Sequence, residues 1–447
     1  MRSRIGFAAI LIFAAAALAG SSQARHGSAA SLSPQTVLDW NSNAWTVVSQ
    51  AQHPREVTPP ATRALFQTEG LLYFSYVQAA VYNAAVAIEG RYEPYGFSLF
   101  APAGASANAA VAQAAHDTLK YYLGPMLTGA QVATLDGWLT TSLAAIPGGQ
   151  AKTDGISIGT AAALGIEAIR ANDGRDGAEG NYGTGPIAPG AWVLTPGPFT
   201  FAQIPWMATM HPFVLRSADQ FKSQPPPELK SEKWARDFNE TKAYGSATST
   251  VRTDAQTKTA YFWNGNVPNQ VNKELRDAAT QYSLDLVDTA RLLAAGDMVA
   301  TDTAMACWAS KYGYLFWRPQ TAIGNAGIDG NPRTAADPAW APLITHPNHP
   351  EWPSAHGCVT GADTQVLSEL LGTDRVNVTI WGGENGAAAL TTSRHFDSID
   401  QIRDQIVDAR VWGGFHYRSS TPAGLKLGER VAHWDLQHAF LPTHDGD

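Results

Sequence analysis

Lys311 and Arg318 stand seven positions apart in a stretch crowded with Tyr312, Tyr314, Leu315, Phe316 and Trp317. Seven positions are about two turns of an α-helix, so a single helix would present both cations on one face until Pro319 stops it. Cations set among aromatic rings suit a multiply charged anion: the guanidinium offers a planar fork for paired oxygens, and the ammonium a point charge. A pair of ordinary surface cations is the competing reading. A second group, Pro353-Ser354-Ala355-His356-Gly357, precedes an apolar helical pattern through Val359, Ala362, Val366, Leu367 and Leu370 to Gly372. Ser354 falls at the N-cap, and the free N–H groups of a helix start attract anions. His356, in the first turn, could give a proton to such an anion or take one from a neighbouring ligand. An ordinary capped helix with an exposed histidine would look the same.

A third group pairs Arg410 with His416. Ser398 and Gln401 read as a capping box for a helix that carries Arg410 near its end. Six residues do not return to one helical face, but Gly413-Gly414 can break the helix and turn His416 back toward Arg410. A neutral imidazole placed there can attack phosphorus or coordinate a metal-centred oxyanion. A core histidine in a turn is the alternative.

In order and spacing the three groups resemble the three-part motif of a superfamily. It joins the vanadium haloperoxidases with type 2 phosphatidic acid phosphatases and bacterial acid phosphatases. The run Ser393-Arg394-His395-Phe396-Asp397-Ser398 is similar to the fungal chloroperoxidase branch. Weaker likeness extends over 76–88 and over 231–263, with Arg252-Thr253 and Phe262-Trp263. The resemblance covers most of the chain and is sharp in the last third. It implies a haloperoxidase-like all-α fold of two four-helix bundles with long loops. It also implies a vanadate cofactor, in a site that phosphate can occupy, with hydrogen peroxide, halide and small organic acceptors as partners. Lys311, Arg318 and Arg410 would hold the equatorial oxygens. Ser354 and the backbone N–H of Ala355 or Gly357 would complete the cradle. His416 would be the axial ligand to vanadium, His356 the acid–base group, and Lys311 would polarise the peroxide.

The chain also departs from the family pattern. Ala355 replaces the usual Gly, Ala409 the usual Ser, and Ser420 the usual Asp four residues after the histidine. The last change leaves open which group orients His416. His349, in His346-Pro347-Asn348-His349-Pro350, occupies the place where bromoperoxidases carry His and chloroperoxidases Phe. The resemblance therefore tilts toward bromide or iodide; a packing role in the loop is the alternative. Reading His346 and His349 as a zinc site is poor, because prolines constrain both and no third ligand is apparent. Two other functions use the same residues. One is a soluble acid phosphatase with His416 as nucleophile. The other is a non-catalytic phosphate-binding relative.

The elements that must hold these groups read as helices. Helical patterns cover 34–51, 65–88, a stretch opening at Ser106 and stopped by Gly124-Pro125, 128–145 and 154–172. The Ala- and Gly-rich character of this half suits close helix packing. Residues 173–227 are rich in Gly and Pro and read as a long loop, which Trp192, Phe199, Phe201 and Trp206 would pin down. Helical pattern returns at 231–245, 253–263, 273–296 and 297–317, then at 355–371 and 398–411 after a second loop over 322–353. Residues 376–380 carry a strand signal, and no internal repeat is evident.

At 447 residues and 45% apolar the chain can bury a large core. A net charge of -8 with no long Lys/Arg run gives no reason to expect nucleic acid. Arg2 and Arg4 precede an apolar run from Ile5 to Ala19 and the small-x-small site Ser22-x-Ala24. Residues 1–24 thus read as a secretory signal peptide, too short in its apolar run for a spanning helix, followed by one domain over 25–447. A secreted or periplasmic protein without integral membrane association is expected. Cys307 and Cys358 suit either a disulfide or two buried thiols.

Overall fold

The computed structural model describes residues 32–55, 61–178, 180–195, 201–383 and 392–443. The expected signal peptide and Phe199 lie outside these residues. The first half folds into α1 (Gln35–Gln50), α2 (Gln67–Glu89), α3 (Ala107–Leu123), α4 (Gly129–Ala144) and α5 (Gln150–Ile169). The second half contains α6 (Glu232–Tyr244), α7 (Asp254–Phe262), α8 (Val267–Gln281), α9 (Leu286–Tyr314), α10 (Pro319–Gly324), α11 (Ala355–Leu371), α12 (Ile399–Trp412) and α13 (Ser420–His438). Two small antiparallel hairpins accompany them. β1 (Gln52–Arg55) pairs with β2 (Ala61–Ala64), Gln52 opposite Ala64; β3 (Val378–Trp381) pairs with β4 (Ser393–Phe396), Val378 opposite Phe396. The fold is all-α, built of helical bundles with long loops.

Local chemistry sets most helix starts. Ser106, Thr128, Ser231, Thr253, Asn266, Asp285, Ser354 and Ser398 each cap a helix by accepting a backbone N–H three residues on. At Ser398 the expected reciprocal box is incomplete, because the Gln401 side chain accepts from the N–H of Asp397 instead.

Helices α1, α2, α3 and α5 pack on one another, and α11 packs against α9, α12 and α13. Helix α9 also packs against α2, so it is the wall shared by the two groups. Helix α2 is long and apolar enough to cross a membrane by composition, but Thr68 to Val86 are buried in the core.

Three sequence expectations need correction. The chain does not form two helices over 273–296 and 297–317. It breaks at Ser283 (φ 51°), and one 29-residue helix, α9, then starts behind the Asp285 cap. Lys311 and Arg318 do not share a helix: Leu315 adopts φ 48°, α9 ends at Tyr314, and Arg318 caps α10. Helix α13, absent from the sequence reading, contributes a face of the second bundle.

Helix α13 meets α11 at a crossing made by four glycines. A Cβ on Gly357 would come 2.5 Å from the Thr421 carbonyl oxygen, and one on Gly424 2.5 Å from that of Ser354. Cβ atoms on Gly361 and Gly428 would collide with the carbonyls of Leu425 and Cys358. The two GxxxG faces therefore bring backbone against backbone. Cys307 of α9 and Cys358 of α11 form a disulfide, Cα to Cα 6.4 Å across 51 residues, which ties the start of α11 to the third side. A crosslink of this loop length stabilises by about 2–4 kcal/mol.

The long 173–227 segment braces the site. Ala191 bridges Phe316, Trp317 N–H donates to Gly190, and Trp192 N–H to Leu315. Gln203 N–H donates to the Asn348 carbonyl, and Thr195 N–H and Oγ1 donate to its side chain.

Close packing at the crossing predicts opposite effects for two Gly→Ala changes. Gly428→Ala should lower unfolding stability by about 1–3 kcal/mol through overpacking. Gly137→Ala, exposed within α4 with nothing within 4 Å of the added methyl, should raise it by about 0.5–1 kcal/mol. Urea denaturation measures both; equal effects would contradict the interlocked crossing.

Candidate functional site

A cavity of about 470 Å³ opens where the second bundle meets the α2 end of the first. Ala355, His356, Arg410, His416 and His349 line it, together with Trp308, His346, Phe415 and the apolar side chains of Leu71, Val267 and Val359. Lys311, Arg318, Ser354 and Gly357 are buried and do not line it.

Arg410 occupies the last turn of α12. Its Nη1 donates to the Trp263 carbonyl (3.0 Å), its guanidinium lies 3.9 Å above the Phe415 ring, and its Nε is buried with no partner among the described residues. Beyond it Gly414 (φ 76°) turns the chain, and the N–H groups of Phe415 and His416 both donate back to the Arg410 carbonyl. The turn brings Arg410 and His416 to one cavity.

His416 is buried, and its Nδ1 lies 2.7 Å from Oε1 of Glu351. The Tyr417 N–H donates to the same oxygen (3.3 Å), and Ser420 Oγ stands 3.5 Å from Nδ1. With Nδ1 held on a carboxyl, Nε2 is the nitrogen left for a ligand. Sequence reasoning missed Glu351. It stands five residues before His356, in the loop that also carries His346 and His349, and a lone acidic residue between Pro350 and Pro353 is the available signal.

The two other cations brace this loop. Lys311 Nζ donates to the carbonyls of Pro350 (2.9 Å), Glu351 (3.0 Å) and Pro353. Arg318 donates from Nε to the His349 carbonyl (2.9 Å), from Nη1 to that of Phe415 (3.2 Å) and from Nη2 to His349 Nδ1 (3.0 Å). His349 lies against Trp308, ring centroids 4.9 Å apart. Ser354 caps α11 by accepting the Gly357 N–H (3.3 Å), so that donor is already engaged inside the helix turn.

Electrostatics follow from this crowding. Burial, then the charges of Arg318 and Arg410, hold the Lys311 ammonium well below its ordinary range, with Glu351 pulling back. Burial lowers Arg318 to about 10; burial and then Arg318 lower Arg410 to about 9. Burial and the same three cations hold His356 and His416 neutral, while burial raises Glu351 to about 7 against the pull of Lys311 and Arg318. Removed from water, these groups need negative charge nearby. Imidazole nitrogen, guanidinium N–H and a helix start form a donor set that fits vanadate or phosphate.

Known proteins resemble this chain in sequence and in fold. Residues 291–443 match the family described as the vanadium chloroperoxidase (VCPO) second helical-bundle domain. Vanadium chloroperoxidase from Curvularia inaequalis is 24% identical over 237 residues, which are 40% of this chain and 38% of that protein. The crystal structure of the first bacterial vanadium-dependent iodoperoxidase superposes with a TM-score of 0.74 at 21% identity, covering 93% of this chain and 98% of that one. A holo-type bacterial vanadium-dependent chloroperoxidase superposes with a TM-score of 0.66 at 19% identity, covering 84% and 93%. Residues 291–443 thus match the second helical bundle of the vanadium chloroperoxidases in sequence, and over most of its length the chain shares the fold of the bacterial vanadium-dependent haloperoxidases.

Proposed function

We propose that the protein is a vanadium-dependent haloperoxidase that oxidises bromide or iodide with hydrogen peroxide, releasing hypohalous acid for small organic acceptors. One observation carries the reading. Arg410 lines the cavity, Lys311 and Arg318 are buried behind its 349–353 wall, and the carboxyl beside them, Glu351, is already hydrogen-bonded to His416. Such a cluster is stabilised by a multiply charged anion.

In this reading Nε2 of His416 would hold vanadate, and Arg410 would meet its oxygens from the cavity wall. Bound vanadate would supply Lewis-acid activation of peroxide without a change of oxidation state. Ala355 lines the cavity at the α11 start, where the helix dipole adds to the attraction, whereas Ser354 and Gly357 would join the cradle only on opening the cap bond between them. His356 takes or returns the peroxide proton. Arg318 and Lys311 contribute positive field from behind the 349–353 loop. Direct polarisation of peroxide by Lys311 requires its Nζ to leave the three carbonyls it now holds. The Cys307–Cys358 disulfide supports secretion or a periplasmic location.

A second reading, phosphomonoester hydrolysis with His416 as nucleophile, is favoured by Glu351. This carboxyl supplies the orienting partner that Ser420 does not.

The two readings separate in paired assays. Bromination with peroxide should appear on adding orthovanadate and should exceed hydrolysis of an aryl phosphate by the vanadate-free protein. Glu351→Gln should reduce vanadate affinity or turnover about 10–100-fold, as loss of a partner behind a ligand does. Vanadate-independent phosphate hydrolysis without halogenation would replace the first reading with the second. Phosphate binding with neither turnover would mark a non-catalytic relative.

His349 gives a separate expectation. Turnover should be greater with iodide and bromide than with chloride, and His349→Phe should raise the chloride share. Parallel assays with the three halides measure this; an unchanged ratio would remove His349 from halide selection.

A further inference from the structure

On another side of His356 lies a second, enclosed cavity of about 20 Å³. This is room for one water molecule. His356, Thr360 and Asp363 of α11 line it at four- and three-residue intervals, so they share one helix face. Gln270 and Glu274 of α8 face them, and Trp263, Ile380 and Ile402 close the space. Glu274 and Asp363 are buried and hydrogen-bonded to each other. Among the described residues, three buried atoms of these lining side chains have no hydrogen-bond partner: His356 Nε2, Glu274 Oε1 and Asp363 Oδ1. One water with these three partners would satisfy all of them.

Two adjoining carboxyls in a dry site cannot both ionise, and burial raises Asp363 to about 7, so above that pH the pair carries one negative charge and keeps its other proton. Burial, and then Asp363, push Glu274 well up. Asp277 on α8 adds to that push, and Asp297 on α9 is also close enough to interact with Asp363. The remaining charged neighbours act on His356 from the main cavity: Arg410, Lys311 and Arg318.

We propose that Glu274 and Asp363 are positioning residues for His356. Through one bridging water the singly charged pair accepts a hydrogen bond from Nε2–H. This leaves Nδ1 unprotonated for the main cavity and places negative charge behind the ring. The imidazole is thereby kept as a base despite three cations beside it. The inference rests on the proton-handling role given to His356 above.

Nitrogen-15 NMR of histidine-labelled protein tests it without vanadate or turnover, so its failure is distinct from failure of the haloperoxidase reading. His356→Gln identifies the His356 signals. The wild type should show Nε2–H with Nδ1 bare. Asp363→Leu, which removes the acceptor, should shift that tautomer balance. Glu274→Gln/Asp363→Asn, which removes the charge, should abolish the step in the kcat/KM profile near pH 7 at which the wild-type pair takes up that charge. A merely structural pair would leave tautomer and profile alone. Hydrophobic or neutral replacement of buried charge is commonly tolerated, and the wild-type tautomer decides the point should a variant misfold. An Nδ1–H tautomer in the wild type, or variants with wild-type tautomer and profile, would overturn the proposal.

Discussion

The hydrogen bond between Glu351 and His416 sits among three buried cations, and the rest of the site is arranged around that concentration of charge. Lys311 and Arg318 reach the same short loop from opposite sides of the α9 end, and each is fixed by backbone carbonyls. Their charges therefore stay in place with no carboxylate hydrogen-bonded to either among the described residues. Glu351 reduces the excess and aims His416, but one carboxyl against three cations leaves positive potential in the cavity. Arg410 lines that cavity, and its buried Nε has no partner among the described residues.

Rigid packing makes this charge arrangement possible. The four-glycine crossing sets the α11 start against the α13 backbone, and the disulfide sets it against α9. The Gly190–Trp192 segment pairs with Leu315–Trp317, so the turn that carries Arg318 out of α9 is braced by distant chain. A side chain that drifts by an ångström in such a site loses much of its effect, and here each motif is held from at least two directions.

Capping and glycine chemistry were legible before any coordinates. Ser354 at the α11 start and Gly413-Gly414 after α12 are local signals, and both act as local rules require. What escaped was tertiary. Leu315 takes a left-handed conformation because pairing with the 190–192 segment overrides its helical preference. Nothing in the Lys311-to-Arg318 spacing announces that. The α8–α9 break was missed although Asp285 with Asp288 three residues on is a cap signature. The division between 296 and 297 fails because Asp297 is buried inside α9. Helix α13 was hidden because Gly424 and Gly428, which serve the crossing, dilute its apolar stripe. Glu351 acts through His416 from a separate loop, and sequence distance conceals such pairs.

The central claim is that this cavity is completed by a tetrahedral oxyanion. The most direct measurement is the thermal unfolding midpoint of the metal-free protein against orthovanadate concentration, for wild type and Arg410→Ala. The account predicts that the wild-type midpoint climbs with the logarithm of vanadate, reaching about 2.7 kcal/mol of added stability at a hundredfold excess over Kd. The variant should require far more vanadate for the same rise. A wild-type midpoint indifferent to vanadate, or an Arg410→Ala response equal to that of wild type, would contradict it.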